Sequence, residues 1–322
     1  MEEYSGTVEA CGGIRLDRYV AERLRLLSRS QIKAKKLSAR VNGKAVKISR
    51  LVKIGDRLDL TWAEAEPVDL IAENLPLDVV YEDNRVVVIN KAHGMVVHPG
   101  AGNPAGTLAN ALLFRRRERG LAGEGFRPGI VHRLDKDTSG VIIAAYDDEA
   151  LAFLADQFKT RRVRKIYAAL VSGIPRKPAG RIETRITRDR RNRTQFTVSP
   201  DTGKTACTRY RVIRAWNGYS LLLLRPRTGR THQLRVHLRY LGCPILGDPM
   251  YGKPDGRFPQ AALMLHAKTL SLIIPGPPGR TASGEGKTFR TSLPERFREI
   301  CRVLRQDNER AAGAFLPVPP PR

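Results

Sequence analysis

This 322-residue chain has no apolar run that could cross a bilayer as a helix, for which about 20 consecutive apolar residues are needed. It carries no lipidation motif and no cationic helix backed by a long aromatic and aliphatic face, so a membrane partner is not expected. Cysteine is scarce. Cys11, Cys207, Cys243 and Cys301 lie far apart without a CxxC pair, which argues against both a zinc site and a disulfide framework. The start, Met1-Glu2-Glu3-Tyr4, lacks the basic and apolar regions of a secretory signal, and a cytoplasmic protein is expected. Acidic residues are few as well: 32 Asp and Glu against 57 Lys and Arg leave a net charge of +25. That excess is far more than solubility requires and implies a polyanionic partner, for which nucleic acid is the natural candidate. The remaining balance, 41% hydrophobic and 28% charged, is that of a chain that folds around a core.

Between Arg15 and Asp59 stand fourteen Lys or Arg and four acids, a local charge of +10. Apolar residues from Leu16 to Leu24 recur at helical spacing, Ser28-Arg29-Ser30-Gln31-Ile32 can open a second helix, and Val41-Asn42-Gly43-Lys44 reads as a hairpin turn. Residues 62–76 shift to acid and proline and interrupt the periodicity. The organisation expected is therefore a small basic domain over 1–65, a linker over 66–76, a main domain over 77–308 and a disordered, proline-rich tail over 309–322. Within the main domain, apolar β-branched runs predict strands at Asp78–Tyr81, Val86–Ile89, Val141–Tyr146, Ile166–Val171, Tyr210–Ala215, Ser220–Arg225 and Ser271–Ile274. Helices are predicted at Thr107–Arg116, Asp148–Lys159, Thr231–Leu241 and Leu293–Arg305. Strands outnumber helices without regular alternation, which predicts an α+β fold on a mixed, largely antiparallel sheet.

Chemistry concentrates in two segments. In His132-Arg133-Leu134-Asp135-Lys136-Asp137 two bases, a histidine and two carboxylates crowd into six residues just before an apolar strand, a density that perturbs ionisation and suggests a site. A kinase catalytic loop has no Leu between Arg and Asp, and no Asp-Phe-Gly or phosphate loop is present. The second segment, Thr228-Gly229-Arg230-Thr231-His232-Gln233-Leu234-Arg235-Val236-His237, runs from a strand into an amphipathic helix. With Arg230, Thr231, His232 and Gln233 in its first turn, the helix start would form an anion site. His232 and His237 are five apart with no nearby acid, so a metal is not expected. Gly100-Ala101-Gly102-Asn103-Pro104-Ala105-Gly106 fits a relaxed dinucleotide fingerprint, but Pro99 and Pro104 limit its amides. A third feature is electrostatic: Lys159–Arg193 holds thirteen Lys or Arg and two acids, and Tyr167 sits within it, where a strand aromatic either packs in the core or stacks on a base.

Taken with their neighbours, these residues resemble the RluA-type pseudouridine synthases: His132–Gly140 is similar to the family's catalytic motif and Thr228–His237 to its second signature. The similarity continues through Gly242–Asp248 and Leu263–Ala267, and Val96–Asn103 resembles the RluD-like branch that modifies large-subunit ribosomal RNA. Departures occur at Ala92-His93 and before Pro275. The N-terminal module resembles the S4 RNA-binding domain, with Arg29, Ser30, Lys33, Lys35, Lys36 and Arg40 as its expected RNA contacts. The resemblance implies isomerisation of uridine to pseudouridine without cofactor or metal, on ribosomal RNA or an assembling large subunit; a monomer is expected. It makes Asp135 the catalytic carboxylate, Arg235 its ion-pair partner and Tyr167 the ring against a flipped uracil. Arg133 is expected to fill the vacated stack, with His132, Lys136, Arg230, Thr231, His232 and Gln233 as further RNA contacts. A non-catalytic RNA binder and an RNA methyltransferase are the competing classes. The first needs no carboxylate among phosphate-seeking bases, and the second needs a convincing nucleotide-binding unit.

Overall fold

A computed structural model of the chain describes residues 1–9, 13–27, 31–32, 35–63, 70–100, 102–121, 128–277 and 284–313. It divides into two compact units, Met1–Asp69 and Leu70–Arg322.

In the first unit, β1 (Glu2–Thr7), β3 (Ser38–Val41), β4 (Lys44–Val46) and β6 (Arg57–Trp62) form a four-stranded sheet in the order β1-β6-β3-β4, and β2 (Ile14–Arg15) pairs with β5 (Leu51–Val52). Asn42 and Gly43, at φ 52° and 77°, make the left-handed turn that the Asn-Gly pair predicts. The first helix is irregular: a short α turn, Leu16–Arg18, passes into a π-helical stretch, Tyr19–Leu24, that still buries Leu16, Tyr19 and Val20. Of the second predicted helix, Gln31 and Ile32 are helical, while residues 28–30 and 33–34 lie outside the described residues.

The second unit is built on one large sheet of β7 (Val79–Glu82), β8 (Val86–Lys91), β9 (Gly129–Ile130), β10 (Ser139–Ala145), β11 (Arg164–Ser172), β12 (Ala179–Arg188), β13 (Phe196–Ser199), β14 (Lys204–Trp216), β15 (Tyr219–Pro226), β16 (Leu265–Ile274) and β17 (Glu285–Arg290). Its order is β13-β12-β14-β15-β11-β16-β10-β8-β7, with β17 beside β16 and β9 beside β10. Neighbours are antiparallel except β10 and β16. Apolar residues fill its faces: Leu170, Leu222 and Leu224 pack with Leu234 and Leu238 of the helix Gln233–Tyr240, and Val86, Val141 and Ile143 pack with Leu154 of the helix Asp148–Lys159. The α+β class with a mixed, mostly antiparallel sheet is thus the observed one.

Several features depart from the sequence expectation. Two strands, β12 and β13, occupy a stretch that charge density obscures, although Ile182 and Ile186 turn inward at strand spacing. The last helix spans Glu295–Gly313, so residues 309–313 are helical rather than part of a disordered tail. Leu70–Pro76, assigned to the linker, has no helix or strand but is tied down: Glu73 accepts from the Gly106 amide at 3.1 Å and Ile71 accepts from the Asn110 side chain at 2.8 Å. Glu73 thus occupies an amide of the glycine loop that a phosphate would otherwise use. Finally, the helix predicted from Thr231 starts at Gln233, because His232 adopts φ 53° and forces a turn before it.

Where β10 begins, Gly140 sits at φ 114°, and a Cβ there would lie 2.2 Å from the Ala267 carbonyl oxygen on β16. Gly140→Ala is therefore expected to cost about 3 kcal/mol or more, through backbone strain and overpacking. A urea midpoint indistinguishable from wild type would contradict this.

Candidate active site

The segment 132–138 crosses from β9 to β10 and is fastened from behind. Leu134 is buried in the core, and the Thr138 amide donates to the Asp135 carbonyl at 3.1 Å. Lys91, fully buried at the end of β8, donates to the carbonyls of Ala92, Met95 and Lys136 at 2.8, 2.8 and 2.9 Å. Burial lowers this ammonium to about 8, with Asp137 and Asp135 opposing the shift. Sequence reasoning missed Lys91, since lysines are rarely buried and nothing local marks this one.

Asp135 projects into a cavity of about 150 Å³ together with His132, Arg133, Tyr167, Arg230, Thr231, His232, Gln233 and Arg235, so residues 100 positions apart in the chain converge. Lys136 alone among the expected main-domain contacts does not line it, and its side chain is exposed on the loop. Tyr167 enters from β11 at a register shift: Ile166 faces Thr269, but Tyr167 faces Ala267, so Lys268 is the extra residue of a bulge. Bulges re-aim side chains beside sites. Burial, reinforced by the Asp135 carboxylate, raises the Tyr167 phenol and keeps it protonated at neutral pH.

Arg235 comes from the first turn of the helix Gln233–Tyr240. Its Nη1 lies 3.7 Å from Asp135 Oδ2, an ion pair, but the tight partner is Asp248. That carboxylate receives Nε at 2.8 Å and Nη2 at 2.7 Å in a bidentate pair, and also accepts from the amides of Met250 and Tyr251. Asp248 is buried, and the Tyr251 ring lies 5.0 Å from the guanidinium. The arginine is thus locked by Asp248 and presents its remaining charge to Asp135. Asp248 is the second functional residue that sequence reasoning missed.

His232 is held by Tyr251. The Tyr251 oxygen accepts from the Phe196 amide at 2.8 Å and is hydrogen-bonded to His232 Nδ1, also at 2.8 Å. Burial lowers the imidazole below its usual range. His132 is neutral too: burial and then Lys165 push it to about 3, its ring stacks on Phe158 at 4.6 Å, and Nε2 accepts from the Ile143 amide. Gln233 is spent internally. Its Oε1 accepts from Thr228 Oγ1 and the Arg230 amide, and its Nε2 donates to Cys207 and Thr208, so its groups brace the turn. Arg133 is exposed at the cavity. The Thr138 hydroxyl, also at the cavity, is buried and has no hydrogen-bond partner among the described residues. Among the described residues no cluster of His, Cys, Asp and Glu could hold a metal ion, and no helix is long and apolar enough to cross a membrane. Of the N-terminal contacts expected, Lys35 binds Glu2 at 3.0 Å, Lys36 and Arg40 belong to the same unit, and Arg29, Ser30 and Lys33 lie outside the described residues.

A carboxylate facing a protonated phenol and a locked guanidinium, in a pocket reached by an exposed arginine, can stabilise a reacting sugar or base and hold an aromatic ring beside it. The chain belongs to the RNA pseudouridylate synthase family, whose model matches residues 85–240 and so includes both signatures. It is an RNA pseudouridine synthase, an isomerase. Over 292 residues it is 42% identical to the ribosomal large subunit pseudouridine synthase D of Borreliella burgdorferi, covering 88% of this chain and 87% of that protein. An RNA pseudouridine synthase of Chloroflexus aurantiacus is 45% identical over 300 residues, 92% of this chain and 91% of its own. Among solved structures, human RNA pseudouridylate synthase domain containing 4 superposes with a TM-score of 0.57 at 29% identity, covering 71% of this chain and 93% of that one.

Proposed function

We propose that this protein isomerises specific uridines of large-subunit ribosomal RNA, with Asp135 as the essential carboxylate. The observation that carries the reading is the convergence of Asp135, Tyr167 and Arg235 on one cavity of about 150 Å³. In the reaction the bond from C1′ to N1 breaks and one from C5 to C1′ forms. The proton lost from C5 is balanced by one gained at N1, so nothing need be added or removed. Asp135 acts at the ribose or base, with the charge of Arg235 keeping it ionised and placed. Tyr167 lies against the uracil and serves in proton transfer. A uridine in a stem must first be extruded, at roughly a few kcal/mol of lost stacking, and the exposed Arg133 fills the gap with its planar guanidinium.

The ribosomal substrate is supported by the name of the Borreliella burgdorferi relative. On this reading the enzyme works in the cytoplasm, and the basic first unit, through its S4-like elements, holds RNA beyond the target nucleotide. The test is a pseudouridine map of RNA from cells with and without the gene. Particular sites in large-subunit ribosomal RNA should disappear; losses confined to transfer RNA, or none, would overturn the substrate assignment.

A further inference from the structure

On β12, β14 and β15 three arginines stand directly opposite one another: Arg181 pairs in register with Arg209, and Arg209 with Arg225. Opposite residues of a sheet share a face, with Cβ atoms about 5 Å apart, and like charges so placed destabilise the pair. The intervening residues Ile182, Tyr210 and Leu224 are buried, so the row occupies the face turned from that core. Arg227 and Arg164 extend it. Glu183 engages Arg181, but among the described residues no carboxylate lies within ion-pair distance of Arg164, Arg209, Arg225 or Arg227. Burial, and then repulsion from Arg164, Arg227 and Arg209, hold the Arg225 guanidinium below its usual range.

The row connects to the site. Arg164, Arg225 and Arg227 line a groove of about 540 Å³ that bears eight Lys and Arg and no carboxylate, and this groove shares Lys165, Pro226 and Thr228–Arg230 with the catalytic cavity. Arg181, Arg209 and Arg227 line a larger cleft of about 1160 Å³, so the two depressions meet at Arg227. A sheet that aligns like charges in which, among the described residues, only Arg181 has a carboxylate at ion-pair distance gains by taking up an anion, and a linear arrangement fits a linear one.

We propose that the arginine row Arg181-Arg209-Arg225, continued by Arg227 and Arg164, is a track for the phosphates of a single-stranded RNA segment adjoining the nucleotide in the catalytic cavity. The inference rests on the functional reading only for the identity of the polyanion. A fluorescent eight-nucleotide oligouridylate bound to the full chain over a range of NaCl concentrations tests it. On a single strand, every phosphate that the protein no longer neutralises lowers the salt slope by about 0.7, so the variant Arg209→Gln/Arg225→Gln/Arg227→Gln should lose about 2 from the slope and bind at least about tenfold more weakly in low salt. A control with the same change of net charge, Lys177→Gln/Lys253→Gln/Arg290→Gln, alters exposed residues outside both grooves and should keep the wild-type slope. Equal losses in the two variants, or none in the first, would overturn the track. Relief of repulsion should let the row variant melt no lower than wild type without RNA, and a clearly lower melting temperature would mark the arginines as structural instead. Pseudouridine formation by the wild type in the same preparation tests the functional reading separately: a slope loss without any pseudouridine would sink that reading and leave the track standing.

Discussion

Asp135→Asn is expected to lower pseudouridine formation by about four orders of magnitude or more, as loss of a reacting group does in other enzymes. That corresponds to about 5.5 kcal/mol of transition-state stabilisation. The substitution keeps the size and shape of the side chain and removes only its charge and basicity. It should spare the fold, since the Asp135 side chain is 24% exposed and the loop is held by its backbone and by Lys91. Binding to RNA should persist, because the cations that meet phosphates are untouched. A variant that binds RNA like wild type and turns over at a comparable rate would remove Asp135 from the mechanism.

Asp248→Asn should produce the largest loss of stability. It leaves the Arg235 guanidinium buried, with the Asp135 carboxylate at 3.7 Å as its remaining ion-pair partner. Breaking a buried pair by removing one partner typically costs about 3–5 kcal/mol. In a unit of this size that is a fall of roughly 6–20 °C in melting temperature. Activity should fall as well at temperatures where the variant is still folded, because Arg235 loses the bidentate grip that aims it, and kcat should suffer more than KM. An unchanged melting temperature and unchanged kcat would show that Arg235 is positioned by other groups.

These two aspartates differ in how visible they are in the sequence. Asp135 can be found because its neighbours in the chain are themselves polar, and a crowded polar segment before an apolar strand is a local signal. Asp248 lies in a turn after the helix, and its importance comes from a partner thirteen residues earlier whose direction depends on the left-handed His232. Lys91 is invisible for a related reason: besides the nearby carbonyls of Ala92 and Met95, its ammonium is satisfied by the Lys136 carbonyl, 45 residues away and brought to it only by folding. Strands rich in β-branched residues, such as β8 and β10, are legible from composition. By contrast, β12 alternates correctly but carries so much arginine that its charge outweighs its period. That charge is ordered across strands, a relation that exists only in the folded register.

The most direct test of the central claim uses the wild-type chain and a transcript of large-subunit ribosomal RNA carrying tritium at C5 of uridine, with nothing else added. Isomerisation expels the C5 hydrogen, so tritium should appear in water in a one-to-one ratio with the pseudouridine formed. Tight binding of the transcript with no tritium release would contradict the account and leave an RNA-binding protein in place of an isomerase.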